Sequence, residues 1–311
     1  MDYAVENGVN FFDTAELYSI PPKKETQGST ERIIGSWFEK KGCRQDIILA
    51  TKVAGRSGMK WFRGGETRLN KENIEKAIEG SLKRLKTDYI DLYQLHWPDR
   101  ALNIFGGGLG LYKHYDLESV PIEETLDVLN QIVETGKVRH IGLSNETPWG
   151  LSEFLNVSER DNLPRVQSVQ NAYNLLNRSY ESGMSEFFHR SSVGLLAYSP
   201  LAQGYLSGKY LDGKLPEGSR TKLFGRGQRY ETPSAEAAIR KYIDLADQSN
   251  LDPSLMANAF VNSREFVTSN IIGATTMEQL EIAIKSGLTK LSDDVLGELD
   301  KIHSECPNPC P

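Results

Sequence analysis

Cysteine is scarce: there are three in 311 residues, Cys43, Cys306 and Cys310. An odd, sparse set builds no disulfide framework and fits a reducing compartment. Cys306 and Cys310 share the tail CPNPCP, but no Cys or His spacing nearby completes a metal set. All three are therefore expected to be free thiols, with no metal. Long apolar runs are also missing. No stretch approaches the ~18 residues a membrane helix needs, so no membrane partner is expected. There is no run of Lys or Arg either. With 36 basic against 42 acidic residues the net charge is −6, and nucleic acid is not an expected partner. The first residues, MDYAVENG, lack the basic and apolar regions of a secretory leader and resemble the end of an amphipathic helix stopped by Gly8. A cytoplasmic location, a small-molecule partner and a monomer or weak homo-oligomer are expected. An organellar address would have to lie upstream.

What is present is a repeating grammar. Short, mostly continuous apolar runs at Val9–Phe12, Ile47–Lys52, Ile90–Leu95, Val138–Leu143, Val166–Val169, Val193–Tyr198 and Asn270–Ile272 alternate with helical segments. Continuous apolar strands are those covered on both faces, and strand–helix alternation implies a parallel sheet. Helices are expected from Asn70 to Leu85, from Pro121 to Gly136, and near 148–157, 179–190, 234–249, 253–263, 276–287 and 292–304. An open dinucleotide-binding sheet would carry G-x-G-x-x-G directly after a strand. The glycine cluster Gly106–Gly107–Gly108–Leu109–Gly110 has the wrong spacing and lies in a long loop. The expected fold is therefore an α/β, (β/α)8 TIM barrel in one domain spanning 1–311. Seven strands are legible, and the first strand of the barrel is expected to be absent from this chain. The outermost strands, near Val9–Phe12 and Asn270–Ile272, should then be unusually accessible.

Barrel enzymes place chemistry where strands end at their carboxyl side. Asp13 follows Asn10–Phe11–Phe12, with Tyr18 one turn further on. Lys52 ends one strand and His96 the next. Each has a plain alternative: Asp after a strand is commonly a turn residue, Lys there snorkels to solvent, and a lone His is more often structural. Their coincidence is what carries weight. Carbonyl reduction needs a proton donor to the developing alkoxide. A phenol is a weak acid near neutrality, and a neighbouring ammonium pulls its pKa down. A carboxylate fixes that ammonium, and an imidazole orients the carbonyl oxygen.

Asn10-Phe11-Phe12-Asp13-Thr14-Ala15 with Tyr18, Ala50-Thr51-Lys52 and Leu95-His96-Trp97 resemble the catalytic tetrad motifs of aldo-keto reductases. Pro21-Pro22 with Glu25-Thr26-Gln27-Gly28, Leu95-His96-Trp97-Pro98-Asp99-Arg100, Ser144-Asn145-Glu146-Thr147 and Ile272-Gly273-Ala274-Thr275-Thr276 resemble a Tas-like NADP(H)-dependent subgroup of that family. The resemblance implies NADPH-dependent reduction of aldehydes or ketones with Asp13, Tyr18, Lys52 and His96 as the catalytic set and Tyr18 as acid. It implies further that Ser144, Asn145 and Gln170 hold the nicotinamide carboxamide and that Tyr198 stacks on its ring. Ser199, Pro200, Leu201, Gln203, Gly204 and Lys209 would belong to the loop over the pyrophosphate. Arg220 would lie near the adenosine phosphate, and Gly273, Ala274, Thr275 and Gln279 would open a phosphate-binding helix. The family often has Arg or Lys where Thr275 stands, so the grip on the 2′-phosphate is weaker here. Trp61 and Trp97 are expected at the substrate pocket, facing an aromatic loop from Asp99 to Val120. Two further readings stay open: a cofactor-binding regulatory subunit resembling channel β-subunits, and an inactive fragment.

Overall fold

The computed structural model describes residues 1–104, 111–225 and 229–311. Its strands are β1 (Phe11–Asp13), β2 (Ile48–Val53), β3 (Ile90–Leu95), β4 (Val138–Ser144), β5 (Val166–Ala172), β6 (Gly194–Tyr198) and β7 (Val267–Ile271). Its α-helices are α1 (Asp2–Glu6), α2 (Ser29–Lys41), α3 (Lys71–Leu85), α4 (Ile122–Glu134), α5 (Pro148–Arg160), α6 (Glu186–Ser191), α7 (Arg220–Phe224), α8 (Pro233–Gln248), α9 (Pro253–Asn262), α10 (Met277–Ser286) and α11 (Asp293–Glu305). The strand order follows the chain from β1 to β7.

The chain forms two compact units. The first comprises Gly8–Leu102 and Lys113–Gln170 and holds β1 to β4, most of β5, and α2 to α5. Its strands pair in parallel, with Asp13 beside Ala50, Lys52 beside Gln94, Gln94 beside Gly142 and Ser144 beside Gln170. Every residue of β3 is buried, as expected of a strand covered on both faces. Asn70 and Thr147 accept backbone amides at the starts of α3 and α5, and Pro148 occupies the first turn of α5, where its missing N–H costs nothing.

The second unit comprises Met1–Asn7, Asn103–Tyr112 and Asn171–Pro311. In it β6 pairs in parallel with β7. Thr232–Pro233 and Asp252–Pro253 start α8 and α9 by the same cap-then-proline device. The tail is pinned by Arg178 to Asp300, by the Asn308 side chain accepting from the Arg178 amide, and by the Cys310 amide donating to the Leu176 carbonyl. All three cysteines are free.

Several elements differ from the expectation drawn from sequence. Helix α2 carries no start signal: it begins after Gly28 with no side-chain cap. The expected helix over 179–190 is two pieces, a 3-10 turn at Ser179–Ser182 and then α6, interrupted at Gly183. Strand β7 begins at Val267 rather than Asn270, because Thr268, Ser269 and Asn270 hide it from an apolar pattern. As expected of the outermost strands, by contrast, residues of β1 and β7 are partly exposed, unlike those of β3. In the loop from Asp99 to Val120, Phe105 and the glycine cluster lie outside the described residues, and Tyr112 is 94% exposed.

Candidate active site

The first unit brings Asp13, Tyr18, Lys52 and His96 together. Asp13 ends β1 and Lys52 lies near the end of β2. Lys52 is fully buried and donates from Nζ to Asp13 Oδ2 at 2.6 Å and to the Thr14 carbonyl at 2.7 Å. A buried ammonium without such partners would lose its proton. Here burial alone would lower the Lys52 pKa, but Asp13 and Tyr18 outweigh it and hold the group above its ordinary value.

Tyr18 follows β1 after a short buried turn, Thr14 to Leu17. Its ring centroid is 5.1 Å from Lys52 Nζ and 5.5 Å, edge-on, from the His96 ring. The sequence alone suggests an ammonium pulling the phenol pKa down. Burial is the larger effect, and with Asp13 it outweighs Lys52, so the phenol pKa stands above its ordinary value. His96 follows β3. Burial and the Lys52 charge push its pKa well below the usual histidine value, and its Nδ1 has no hydrogen-bond partner among the described residues. The imidazole is therefore neutral near pH 7.

The residues matched to the carboxamide site are brought to the same place. Ser144 Oγ donates to the Gln170 carbonyl at 2.8 Å, and Asn145 Nδ2 donates to the His96 carbonyl at 2.9 Å. Gln170 Nε2 donates to Asp13 Oδ1 at 2.8 Å. Asn145 adopts φ 52°, a left-handed conformation that Asn tolerates better than most residues.

Trp97 is partly buried, and its Nε1 donates to the Arg56 carbonyl at 2.8 Å. Trp61, Met59 and Trp97 pack on a buried cluster of Leu17, Ala54 and Phe62. Phe62 is therefore core, while the two tryptophans keep partly exposed faces. Glu16 is a residue the sequence does not single out. It is buried between the Ala54 amide, 2.8 Å from Oε1, and Arg63, which pairs with Oε2. Burial raises its pKa despite Arg63. It ties the turn between Asp13 and Tyr18 to the loop carrying Trp61. The available signal is a Glu inside an otherwise apolar and small-residue turn.

The second unit, taken by itself, holds the remaining cofactor candidates. After Tyr198 the chain runs through positive φ at Ser199, Ala202, Gln203 and Gly204. The Lys209 side chain lies against Gly204, with its amine 5.2 Å from the Tyr210 ring centroid. Pro200 is buried and Leu201 partly so. Among the described residues, Gln203 Oε1, Ser219 Oγ and Arg220 Nε are buried without hydrogen-bond partners. Such a concentration of unsatisfied groups is costly unless a ligand completes it, and these donors and acceptors fit a phosphorylated cofactor. Gly273, Ala274 and Thr275 are exposed before α10, where the Gln279 side chain already accepts from the Thr275 amide and hydroxyl.

Parallel strands in chain order, each followed by helix, with an Asp–Lys–Tyr–His group at their carboxyl ends, define an α/β-barrel oxidoreductase. The model of the Aldo/keto reductase family matches residues 1–304, and the chain belongs to that family. Its fold class is the family's (β/α)8 barrel, with seven strands among the described residues. The chain is similar to Protein tas of Escherichia coli, at 45% identity over all of this chain and 90% of that protein. It is 33% identical to an uncharacterized oxidoreductase, YrpG, of Bacillus subtilis, over 97% of this chain and 85% of that one. A putative voltage-gated potassium channel subunit beta of Schizosaccharomyces pombe is 29% identical over 96% of this chain and 82% of that protein. No helix among the described residues is long and apolar enough to cross a membrane.

Proposed function

We propose that this protein is a cytoplasmic, single-domain NADPH-dependent reductase of aldehyde or ketone carbonyls, with Tyr18 as general acid. The observation that carries the reading is the buried Lys52 amine held on Asp13 at 2.6 Å and set against the Tyr18 ring. A nicotinamide cofactor supplies the hydride when bound. The protein's part is then to present a proton and to shape the site. Tyr18, protonated near neutrality because burial raises its pKa, keeps a proton for the alkoxide that forms as hydride arrives. Neutral His96 orients the carbonyl oxygen beside it. Lys52, kept charged by Asp13, stabilises phenolate as the proton leaves. Ser144, Asn145 and Gln170 have the donor set a carboxamide needs. Ser199, Pro200, Leu201, Gln203, Gly204, Lys209 and Arg220 match the family's phosphate-end loop, and the Gly273–Gln279 turn, with Thr275 in place of a basic residue, would complete it with a weaker grip. Trp61 and Trp97 favour an apolar substrate.

A regulatory subunit is the second reading, motivated by the similarity to the fission-yeast protein. Fluorescence titration with NADPH and NADH, followed by turnover on a panel of aromatic and aliphatic aldehydes, separates the two. The reductase reading predicts tight NADPH binding with multiple turnovers. Tight binding with no turnover across the panel would replace it with the regulatory one.

A further inference from the structure

Asp13 receives more hydrogen bonds than its pairing with Lys52 requires. Oδ2 accepts from Lys52 at 2.6 Å. Oδ1 accepts from Gln170 at 2.8 Å and from Gln94, a residue outside the catalytic and carboxamide sets, whose Nε2 donates at 3.1 Å. Gln94 is fully buried in β3, in the run Ile90-Asp91-Leu92-Tyr93-Gln94-Leu95. A neutral amide in a strand buried on both faces is costly to desolvate unless it is hydrogen-bonded. Here the cost is met on one side only. Nε2 is used, while Oε1 has no partner among the described residues. Burying a glutamine with half its capacity unspent makes little sense as packing, since leucine would fill the same space without the penalty.

The surrounding backbone is shaped to admit it. Gln94 stands in register between Lys52 and Gly142. A Cβ on Gly142 would meet Ser168 Oγ at 3.0 Å, Leu92 Cδ1 at 3.2 Å and Gln94 Cγ at 3.3 Å, so a side chain there would press on the glutamine among its neighbours. Lys52 and Gln94, on adjacent strands, thus approach the two oxygens of one carboxylate.

We propose that Gln94 is a positioning residue for proton transfer: its amide, with that of Gln170, holds Asp13 Oδ1 so that Oδ2 points at Lys52 and the ammonium stays placed beside Tyr18. A carboxylate has two equivalent oxygens and a free torsion. Two amide donors on one oxygen break that equivalence and fix the rotamer. They also absorb negative charge that would otherwise act on Tyr18, whose pKa Asp13 raises. Gln94 touches no substrate and acts through Asp13. The inference rests on the proposed function for its kinetic consequence, though not for its structural one.

The test uses Gln94→Leu and Gln94→Glu in the full chain, both near-isosteric, with unchanged circular dichroism required of each. For Gln94→Leu, kcat for aldehyde reduction should fall by about tenfold or more, with the KM for NADPH unchanged within a few-fold. Gln94→Glu should retain activity at acidic pH, where a protonated carboxyl still donates to Asp13. It should lose activity as the pH rises and two carboxylates face each other. Wild type should show no such acidic-side transition. A readout free of turnover is the Tyr18 ionisation, taken as the ultraviolet difference titration of each protein against its Tyr18→Phe counterpart. It should move to higher pH in Gln94→Leu, because Asp13 is left less neutralised. If wild type itself turns over nothing, the reductase reading fails while this titration still decides the role of Gln94. Wild-type kcat, pH profile and Tyr18 titration in Gln94→Leu would overturn the proposal and leave the residue as filler.

Discussion

Single side chains at this site hold charge out of water through defined partners. Lys52 stays protonated because Asp13 faces it, and His96 stays neutral because burial and the same Lys52 charge both oppose a second cation. On the proposed reading, the proton passed to the product near pH 7 is then that of Tyr18. A group with a depressed pKa binds its proton only below the usual range. His96 should therefore titrate well below the range in which an ordinary histidine changes charge. Ring-proton NMR, assigned by comparison with His96→Asn, checks this. A titration near pH 6.5 would mean that the imidazole is solvated and that the site is not closed as described. Asp13, Tyr18, Lys52 and His96 are legible in sequence because they cluster where strands end and each carries a chemistry the others complete. Gln94 and Glu16 are not, since a single polar residue in an apolar run has no periodicity to mark it. Nor is the sign of the Tyr18 shift, which depends on how much burial outweighs one nearby ammonium.

Among the secondary-structure elements, strands are easier to read than helices. Continuous apolar runs locate six of the seven strands within a few residues, and only β7, with Thr268, Ser269 and Asn270, is displaced. Helices with a polar cap and a proline, such as α5, α8 and α9, announce themselves. Helix α2 does not, yet it is closely docked. A Cβ on Gly35 would meet the Arg84 carbonyl at 2.3 Å and the Leu85 backbone at 2.7 Å, so α2 approaches the end of α3 backbone to backbone. Gly35 lies inside the helix, so what matters is its missing side chain rather than its conformational freedom. Alanine should raise intrinsic helix preference by up to about 1 kcal/mol. The overlap with backbone should cost more, about 1–3 kcal/mol as for other overpacked contacts. Gly35→Ala is therefore expected to lower the urea midpoint with an unchanged m-value. An equal or higher midpoint would show that the two helices are not packed so closely. Glu31 adds to the same junction, fully buried between Thr51 Oγ1 at 2.7 Å and Arg84 Nε at 2.6 Å.

For the chain as a whole, family membership follows from a match running from residue 1 to 304 and from relatives aligned along nearly the entire length. The strand–helix alternation is enough to choose parallel strands over other classes, because buried parallel strands must be apolar on both faces. Activity is a narrower question, since similarity extends both to an oxidoreductase and to a channel-subunit relative. The reductase reading stands or falls on Tyr18 giving the proton that completes carbonyl reduction. Single-turnover oxidation of NADPH by an aldehyde, in wild type and Tyr18→Phe with cofactor affinity measured in parallel, decides this. The hydride-transfer rate should fall by at least about 10²-fold, with NADPH affinity held within a few-fold. A Tyr18→Phe protein that binds NADPH normally and reduces the aldehyde at the wild-type rate would refute the assignment.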